Sequence, residues 1–382
     1  MEADNGRLDI LRSVRSAVIK VGSAVLNTGA GLSRDRIWSL AEQIAGLNES
    51  GVSVTLVSSG AVAAGRKALS ARNLKAEGMA GRQGAAAIGQ GRLMREYEAA
   101  FAESGLLCAQ ILLTRDDLRD PERFLNVKNT FSQLHEWGVI PIVNENDTVA
   151  VNELKFGDND SLSSLLLNIM RADLCINLTS APGVYAENPG GRDESEIPVL
   201  KRIRDIEALD ITALCGGKTD VGTGGMFSKL RAARRAAQLG VPSLILPGRE
   251  ENILKRAFAG EDIGTWVDPS SRLVSSRKYR MAYQNTPEGS VDIDGGAYTA
   301  LRESGGSLLP GGIVAMSGEF GPGALIAVRH AGKDIGAGLT NYSSDDLAAI
   351  MGKKRHEVAA ILGDAHYPEV IHRDNLLLDA AL

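Results

Sequence analysis

Two lysines more than two hundred residues apart carry the clearest chemical signal in this sequence. Lys20 interrupts an apolar run, SAVIKVG (16–22), and Lys229 closes a glycine-rich stretch, VGTGGMFSK (221–229). Gly222, Gly224 and Gly225 allow backbone amides to approach a ligand without a Cβ in the way. A helical pattern begins near Met226, so free amides and the positive end of a helix face whatever the glycines hold. Lys229 follows one turn later, where its side chain leans back toward the helix start. The chemistry this suits is the binding of a phosphate. It is not the P-loop, in which lysine directly follows the closing glycine, because Met226, Phe227 and Ser228 intervene. The competing readings are bland: a glycine linker with a solvated Lys229, and a Lys20 that snorkels to water instead of standing buried and paired.

The acidic counterpart is NENDTVAVNELKFGDNDSL (144–162), where Glu145, Asp147, Glu153, Asp158 and Asp160 crowd five carboxylates into sixteen residues beside Asn144, Asn146 and Asn159. The spacing lacks the sixth-position glycine and twelfth-position glutamate of an EF-hand. Asn159 or Asp160 capping a helix through SLSSLLLNIM is one explanation. Crowded carboxylates repel, however, and lysines together with an ammonium-bearing ligand would offset that repulsion. SSGA (58–61) follows an apolar run and opens a helical one. Ser58 or Ser59 either caps that helix or, with Gly60, presents hydroxyls and amides to a carboxylate. No G-x-S-x-G elbow is present, which argues against a serine hydrolase.

The elements that must position these groups are legible as six apolar runs: residues 16–22, 51–60, 106–114, 138–146, 172–179 and 240–248, with helical patterns such as 33–51 and 229–240 between them. Strands apolar throughout, each fed by a helix, predict an α/β fold with a parallel sheet covered on both faces. Right-handed crossovers then bring every strand's carboxyl end to one edge, where such sheets bind ligands. After about residue 270 the pattern changes. A polar stretch, DPSSRLVSSRKYR, leads into short segments split by glycine and proline, as expected for a small all-β unit.

Composition narrows the functional classes. With 382 residues, 44% hydrophobic and 23% charged, the chain reads as a soluble protein of two or three domains. A net charge of −5 and 4% aromatic residues give no general attraction to nucleic acid or anionic lipid. Cys108, Cys175 and Cys215 lack metal-ligand spacing and read as reduced thiols, which fits a cytoplasmic setting. The opening MEADNGRLDI is unlike a secretory signal, and no apolar run approaches membrane-spanning length.

Together these stretches resemble the amino acid kinase family, and within it the glutamate 5-kinases that carry a C-terminal PUA domain. VIKVGSAVL, VSSGAVAAGR, LLTRDDLRDPERFLN, PIVNENDTVAVNELKFGDNDSLS and GTGGMFSK carry the likeness first; SSRKYR, VDIDGGAYTAL, SLLPGGI and YSSDDLAAIMG continue it, from about residue 16 to 373. The resemblance implies a three-layer α/β/α kinase domain over 1–270, a linker over 271–284, a β-barrel-like PUA domain over 285–366 and a tail over 367–382. It implies ATP-dependent phosphorylation of the glutamate side-chain carboxylate, with Mg²⁺ bridging the ATP phosphates. Lys20 and Lys229 would flank the migrating phosphoryl group. Asp158 and Asp160 would orient those lysines and help to hold magnesium. Ser59, Gly60, Asp147 and Asn159 would bind L-glutamate. Thr179, Ser180, Thr223, Gly224, Gly225 and Met226, with both lysines, would bind ATP.

Proline as feedback inhibitor and assembly into dimers or tetramers are further implications. Where the family shows Thr-Asp after the fifth strand, this chain has Thr179 and Ser180, so a carboxylate near the nucleotide's base or ribose is lost. The PUA-like stretch Arg280–Asp364 holds seven basic and ten acidic residues, a sign that opposes RNA binding. The rival readings are a relative acting on aspartate, acetylglutamate or a nucleoside monophosphate, and an RNA-binding regulator with a degenerate kinase domain. The NEND–GDND pairing and the C-terminal unit oppose the first; Lys20, Lys229, Asp147 and Asn159 oppose the second.

Overall fold

The computed structural model describes residues 5–28, 31–149, 159–190, 192–215, 225–284, 286–363 and 366–378. Of the expected site residues, Asp158, Thr223 and Gly224 lie outside them. The chain divides into two units, Met1–Ser271 and Arg272–Leu382.

All six apolar runs form strands of one sheet: β1 (Ser16–Val21), β2 (Ser53–Ser58), β3 (Cys108–Leu113), β4 (Ile140–Glu145), β5 (Leu174–Thr179) and, after the two-residue β6 (Arg202–Ile203), β7 (Ser243–Pro247). A short β8 (Thr265–Val267) completes the order β6-β8-β7-β5-β1-β2-β4-β3. Pairing is parallel except between β7 and β8. The sequence pattern does not announce β6 and β8, because two or three residues show no period; their place is set by the parallel pairing of Arg202 with Trp266 and by the antiparallel pairing of Leu244 with Trp266.

Helices cover both faces. On one lie α1 (Arg34–Glu49) and, after α2 (Ala61–Ser70), the long α3 (Gly78–Ala102). Their Ile37, Ile44, Leu93 and Phe101 pack with Ile19 and Val21 of β1, Leu56 of β2 and Ile176 of β5. On the other face, after α4 (Pro121–Glu136), lie α5 (Asn159–Met170) and α6 (Met226–Gln238), the latter packing Leu230, Ala233 and Ala237 on Ile245 of β7. Successive strand residues point to opposite faces. With Ile19 and Val21 committed to the α1/α3 side, Lys20 must face α5 and α6. Its register partners are Val57 on β2 and Asn177 on β5, so it stands in the middle of the sheet, one residue from the carboxyl end of β1.

The helix pair α2/α3 owes its closeness to glycine. A Cβ on Gly65 would lie 1.7 Å from the Ala85 carbonyl oxygen, and one on Gly89 1.7 Å from that of Ala61. The two helices therefore touch backbone to backbone at the end of β2.

The second unit holds a mixed sheet of its own: β9 (Gly289–Ile293), β10 (Ile313–Ser317), β11 (Leu325–His330), β12 (Lys333–Leu339) and β13 (Leu376–Leu378), ordered β10-β9-β11-β12-β13. Two stretches expected outside a folded core are built into it. The linker region 271–284 contains α7 (Ser276–Gln284), which lies on β12 and β13 and whose Lys278 Nζ donates to the Arg373 carbonyl at 2.8 Å. The tail region 367–382 supplies β13, since Leu376–Leu378 is apolar and pairs antiparallel with Gly336–Gly338. No helix among the described residues is long and apolar enough to cross a membrane.

Adding one methyl at the helix contact should be costly. Gly89→Ala is expected to lose about 3 kcal/mol of stability, the upper range for overpacking, read as a lowered urea midpoint. An unchanged midpoint would mean that the helices can part freely.

Candidate active site

The carboxyl edge of the large sheet opens into a cavity of about 920 Å³. Lys20, at the end of β1, lines it together with Lys229 from the first turn of α6. Both ammonium side chains are only 4% exposed, and both meet one carboxylate, Asp160, which is fully buried in the first turn of α5. Lys20 Nζ stands 2.5 Å from Asp160 Oδ1 and Lys229 Nζ 3.3 Å from Oδ2. Ser228 donates to Oδ2 at 2.6 Å, and Lys229 Nζ also reaches the Gly225 carbonyl at 3.4 Å. The solvated alternatives for both lysines are thus excluded, as is the reading of Asp160 as a helix cap.

Burial alone would raise the Asp160 pKa. The charges of Lys20 and then Lys229, with hydrogen bonds from Lys20 and Ser228, outweigh it and hold the carboxyl below its ordinary value. Two cations sharing one anion leave the cluster with a net positive charge on side chains that are themselves almost fully buried. Such a cluster is suited to an incoming polyanion.

Opposite the lysines, the end of β2 and the start of α2 form the acceptor wall. Gly60 takes φ +116°, a left-handed conformation that favours glycine, and stands as the N-cap of α2. Neither serine caps this helix: Ser58 Oγ pairs with the Tyr97 hydroxyl at 2.9 Å, while Ser59 Oγ accepts from Asn159 Nδ2 at 2.8 Å. Asn159 Nδ2 also donates to Asn144 Oδ1 at 2.9 Å. Ser59, Gly60, Asp147 and Asn159 all line the cavity, and Glu145 joins them. The wall therefore offers hydroxyl and amide donors near carboxylates, a fit for a zwitterion with an additional carboxylate.

The third wall is formed by Thr179 at the end of β5, the exposed Ser180, and Gly225 and Met226 at the start of α6. The structure thus brings together every expected site residue that it describes, with Asp160 beneath the cavity floor. Sequence reasoning missed Gln90, which donates nothing to the cavity but accepts from Asn144 Nδ2 at 3.0 Å. It also missed the exposed Arg66 and Arg82 at the cavity wall, and it named Ser228 without its bond to Asp160. Ser228 sits inside the glycine-rich stretch and was within reach of that reading; Gln90 lies on a separate helix and carried no local signal. Among the described residues no group of three or more His, Cys, Asp or Glu side chains could hold a metal ion, and both Asp160 oxygens already face lysines. A magnesium ion would therefore take its ligands mainly from phosphates rather than from these side chains.

A parallel sheet with two buried lysines at its carboxyl edge is suited to binding a phosphate, and the comparisons with known proteins supply the class, a kinase of the amino acid kinase family. The model of the amino acid kinase family matches residues 15–247, and that of the PUA domain matches residues 289–362. Carbamate kinase from Giardia lamblia bound to AMP-PNP superposes with a TM-score of 0.50 at 18% identity, over 68% of this chain and all of that one, a likeness of fold. Glutamate 5-kinase from Nitratidesulfovibrio vulgaris (strain Hildenborough) is 61% identical over 386 residues, and that from Oleidesulfovibrio alaskensis 55% identical over 383, each alignment covering both chains in full. The chain belongs to the glutamate 5-kinase branch of the amino acid kinase family.

Asp160→Asn should leave two buried ammonium groups without a counter-charge, at a cost of about 3–5 kcal/mol. Because the folded-state pKa is depressed, the carboxylate's contribution is complete at neutral pH and is lost as pH falls through that depressed value. Urea unfolding of both proteins across pH should therefore show a gap that is full at pH 7 and closes in acid. A pH-independent gap would contradict the electrostatic origin.

Proposed function

We propose that this chain transfers the γ-phosphoryl group of ATP to the side-chain carboxylate of L-glutamate, giving L-glutamyl 5-phosphate and ADP, the first step of proline biosynthesis. The observation that carries the site assignment is the pair of buried lysines held on Asp160 at the cavity floor. A carboxylate oxygen of glutamate attacks the γ-phosphorus, the bond from that phosphorus to the bridging oxygen breaks, and the electron pair leaves with ADP. Lys20 and Lys229 neutralise charge on the migrating group and the departing phosphate. Asp160 keeps both ammonium groups aimed. The nucleophile is already ionised, so no general base is required, and positioning with charge neutralisation does the catalysis.

Asp147 suits the glutamate ammonium; Ser59, Gly60 and Asn159 suit a carboxylate and the remaining polar groups. Thr179, Ser180, Gly225 and Met226 face the nucleotide side, and Thr223 and Gly224 belong to the same ATP-binding stretch. Magnesium, when bound, supplies charge neutralisation between the phosphates; Asp158 is the further acid assigned to its neighbourhood. A cytoplasmic setting, homo-oligomer formation and feedback by proline complete the proposal.

Trapping the product tests the reaction directly. Enzyme, glutamate, ATP and magnesium with hydroxylamine should yield the γ-hydroxamate, while aspartate should yield little. Lys229→Ala should lower kcat by about 10²–10³-fold, the usual cost of losing one preorganised charge contact, measured at a temperature where circular dichroism shows the variant folded. An undiminished kcat would remove Lys229 from the chemistry.

A further inference from the structure

We propose that Gln90 is a positioning residue that sets the donor and acceptor polarity of the amino-acid subsite through a relay of three side-chain amides; this rests on the glutamate reading of that subsite. Gln90 is 7% exposed, on α3 directly after the glycine that lets α3 touch α2. Its Oε1 accepts from Asn144 Nδ2 at 3.0 Å. Asn144 Oδ1 accepts in turn from Asn159 Nδ2 at 2.9 Å, and the same Nδ2 donates to Ser59 Oγ at 2.8 Å. Each link fixes the next. A primary amide has its donor and its acceptor on opposite branches, so turning one amide over reverses all that follow.

In the observed sense, Asn159 spends both protons on Asn144 and Ser59, and its Oδ1 is the acceptor that remains. Ser59 Oγ has accepted, so its own proton is available to a ligand oxygen. The wall then offers a hydroxyl donor for a carboxylate beside an amide acceptor for an ammonium. In the reversed sense Ser59 would donate to Asn159, and the pair would present the wrong polarity to an amino acid.

The sense is selected at the far end of the relay. Gln90 lines a second, smaller cavity of about 240 Å³, which shares Asn144, Glu145 and Asp147 with the first. Its Nε2 is buried there without a hydrogen-bond partner among the described residues. Glu145 and Asp147 line the same cavity, and a lining that holds carboxylates suits an amide NH₂ better than a carbonyl oxygen, which fits Oε1 turned toward Asn144.

Steady-state kinetics of the full-length enzyme test this. Gln90→Met keeps the unbranched shape and removes the acceptor; KM for glutamate should rise about tenfold, the scale of one lost hydrogen bond, while KM for ATP stays within twofold. In an Asn159→Ala background Gln90→Met should add less than twofold. Asn144→Ala, which removes the middle link, should raise KM for glutamate at least as much as Gln90→Met and serves as the second variant should the first not fold. A glutamate KM unmoved by Gln90→Met or by Asn144→Ala, or an equal effect of Gln90→Met with and without Asn159, would overturn the relay while wild-type turnover still upheld the reaction. Absence of γ-hydroxamate from the wild-type enzyme would overturn the functional reading and the relay's ligand with it.

Discussion

The site depends on one buried carboxylate. Lys20 and Lys229 carry like charges into the same low-dielectric space, where repulsion is poorly screened. Asp160, 0% exposed and in contact with both, makes their coexistence tolerable. It binds three elements into one device: the central strand β1, the start of α5 and the first turn of α6. The cluster keeps a surplus of positive charge, so an arriving phosphate meets ammonium groups that are already desolvated and need not reorganise. That is the physical basis of preorganised electrostatic stabilisation. The same arrangement explains why β1 lies mid-sheet: with parallel partners on both sides, β2 and β5, its backbone has little freedom to let Lys20 drift.

The opposite wall is built by different means. Here the positioning is steric and amide-based rather than ionic. Gly65 and Gly89 let α2 and α3 meet at backbone distance, and the left-handed Gly60 turns the chain sharply from β2 into α2. These glycines place Ser59 and Gln90 so that Asn159 and Asn144 can span the gap between them. The Lys20–Asp160 and Ser59–Asn159 contacts both anchor on the first turn of α5. Consecutive residues, Asn159 and Asp160, thus tie the Ser59 wall to the cationic floor across a single peptide bond.

Much of this was legible in the sequence, for identifiable reasons. Five of the six strands are buried almost throughout and read as continuous apolar runs, and the half-buried edge strand β3 is apolar enough to appear beside them. A lysine inside such a run is costly unless paired, which made Lys20 conspicuous; glycines before a helix did the same for Lys229. The close spacing of Asp147, Asn159 and Asp160 flagged the acidic stretch but could not say which carboxylate would be buried, because that depends on the partners that α6 brings. Gln90 was invisible: a glutamine in a helix has no local signature, and its role exists only through a bond to Asn144, fifty-four residues away. The strand β13 and the helix α7 were read as tail and linker because short segments show too little period to be assigned until a sheet edge pairs with them.

The groups that do not take part are as consistent with carboxylate phosphorylation as those that do. Among the described residues the cavity is lined by carboxylates, Glu145 and Asp147 among them, and by no histidine. Cys215 does line it, but burial pushes its thiol up to about 11, and Cys175, buried within β5, goes up to about 12 for the same reason. At neutral pH neither supplies a thiolate. An alcohol acceptor would have to give its proton to one of those carboxylates. A carboxylate acceptor has no proton to lose, and the same lysines that steady the phosphate also lower the repulsion that a negatively charged nucleophile meets on approach. On the proposed reaction the cationic floor assists an ionised acceptor directly, whereas a neutral one would need a base as well.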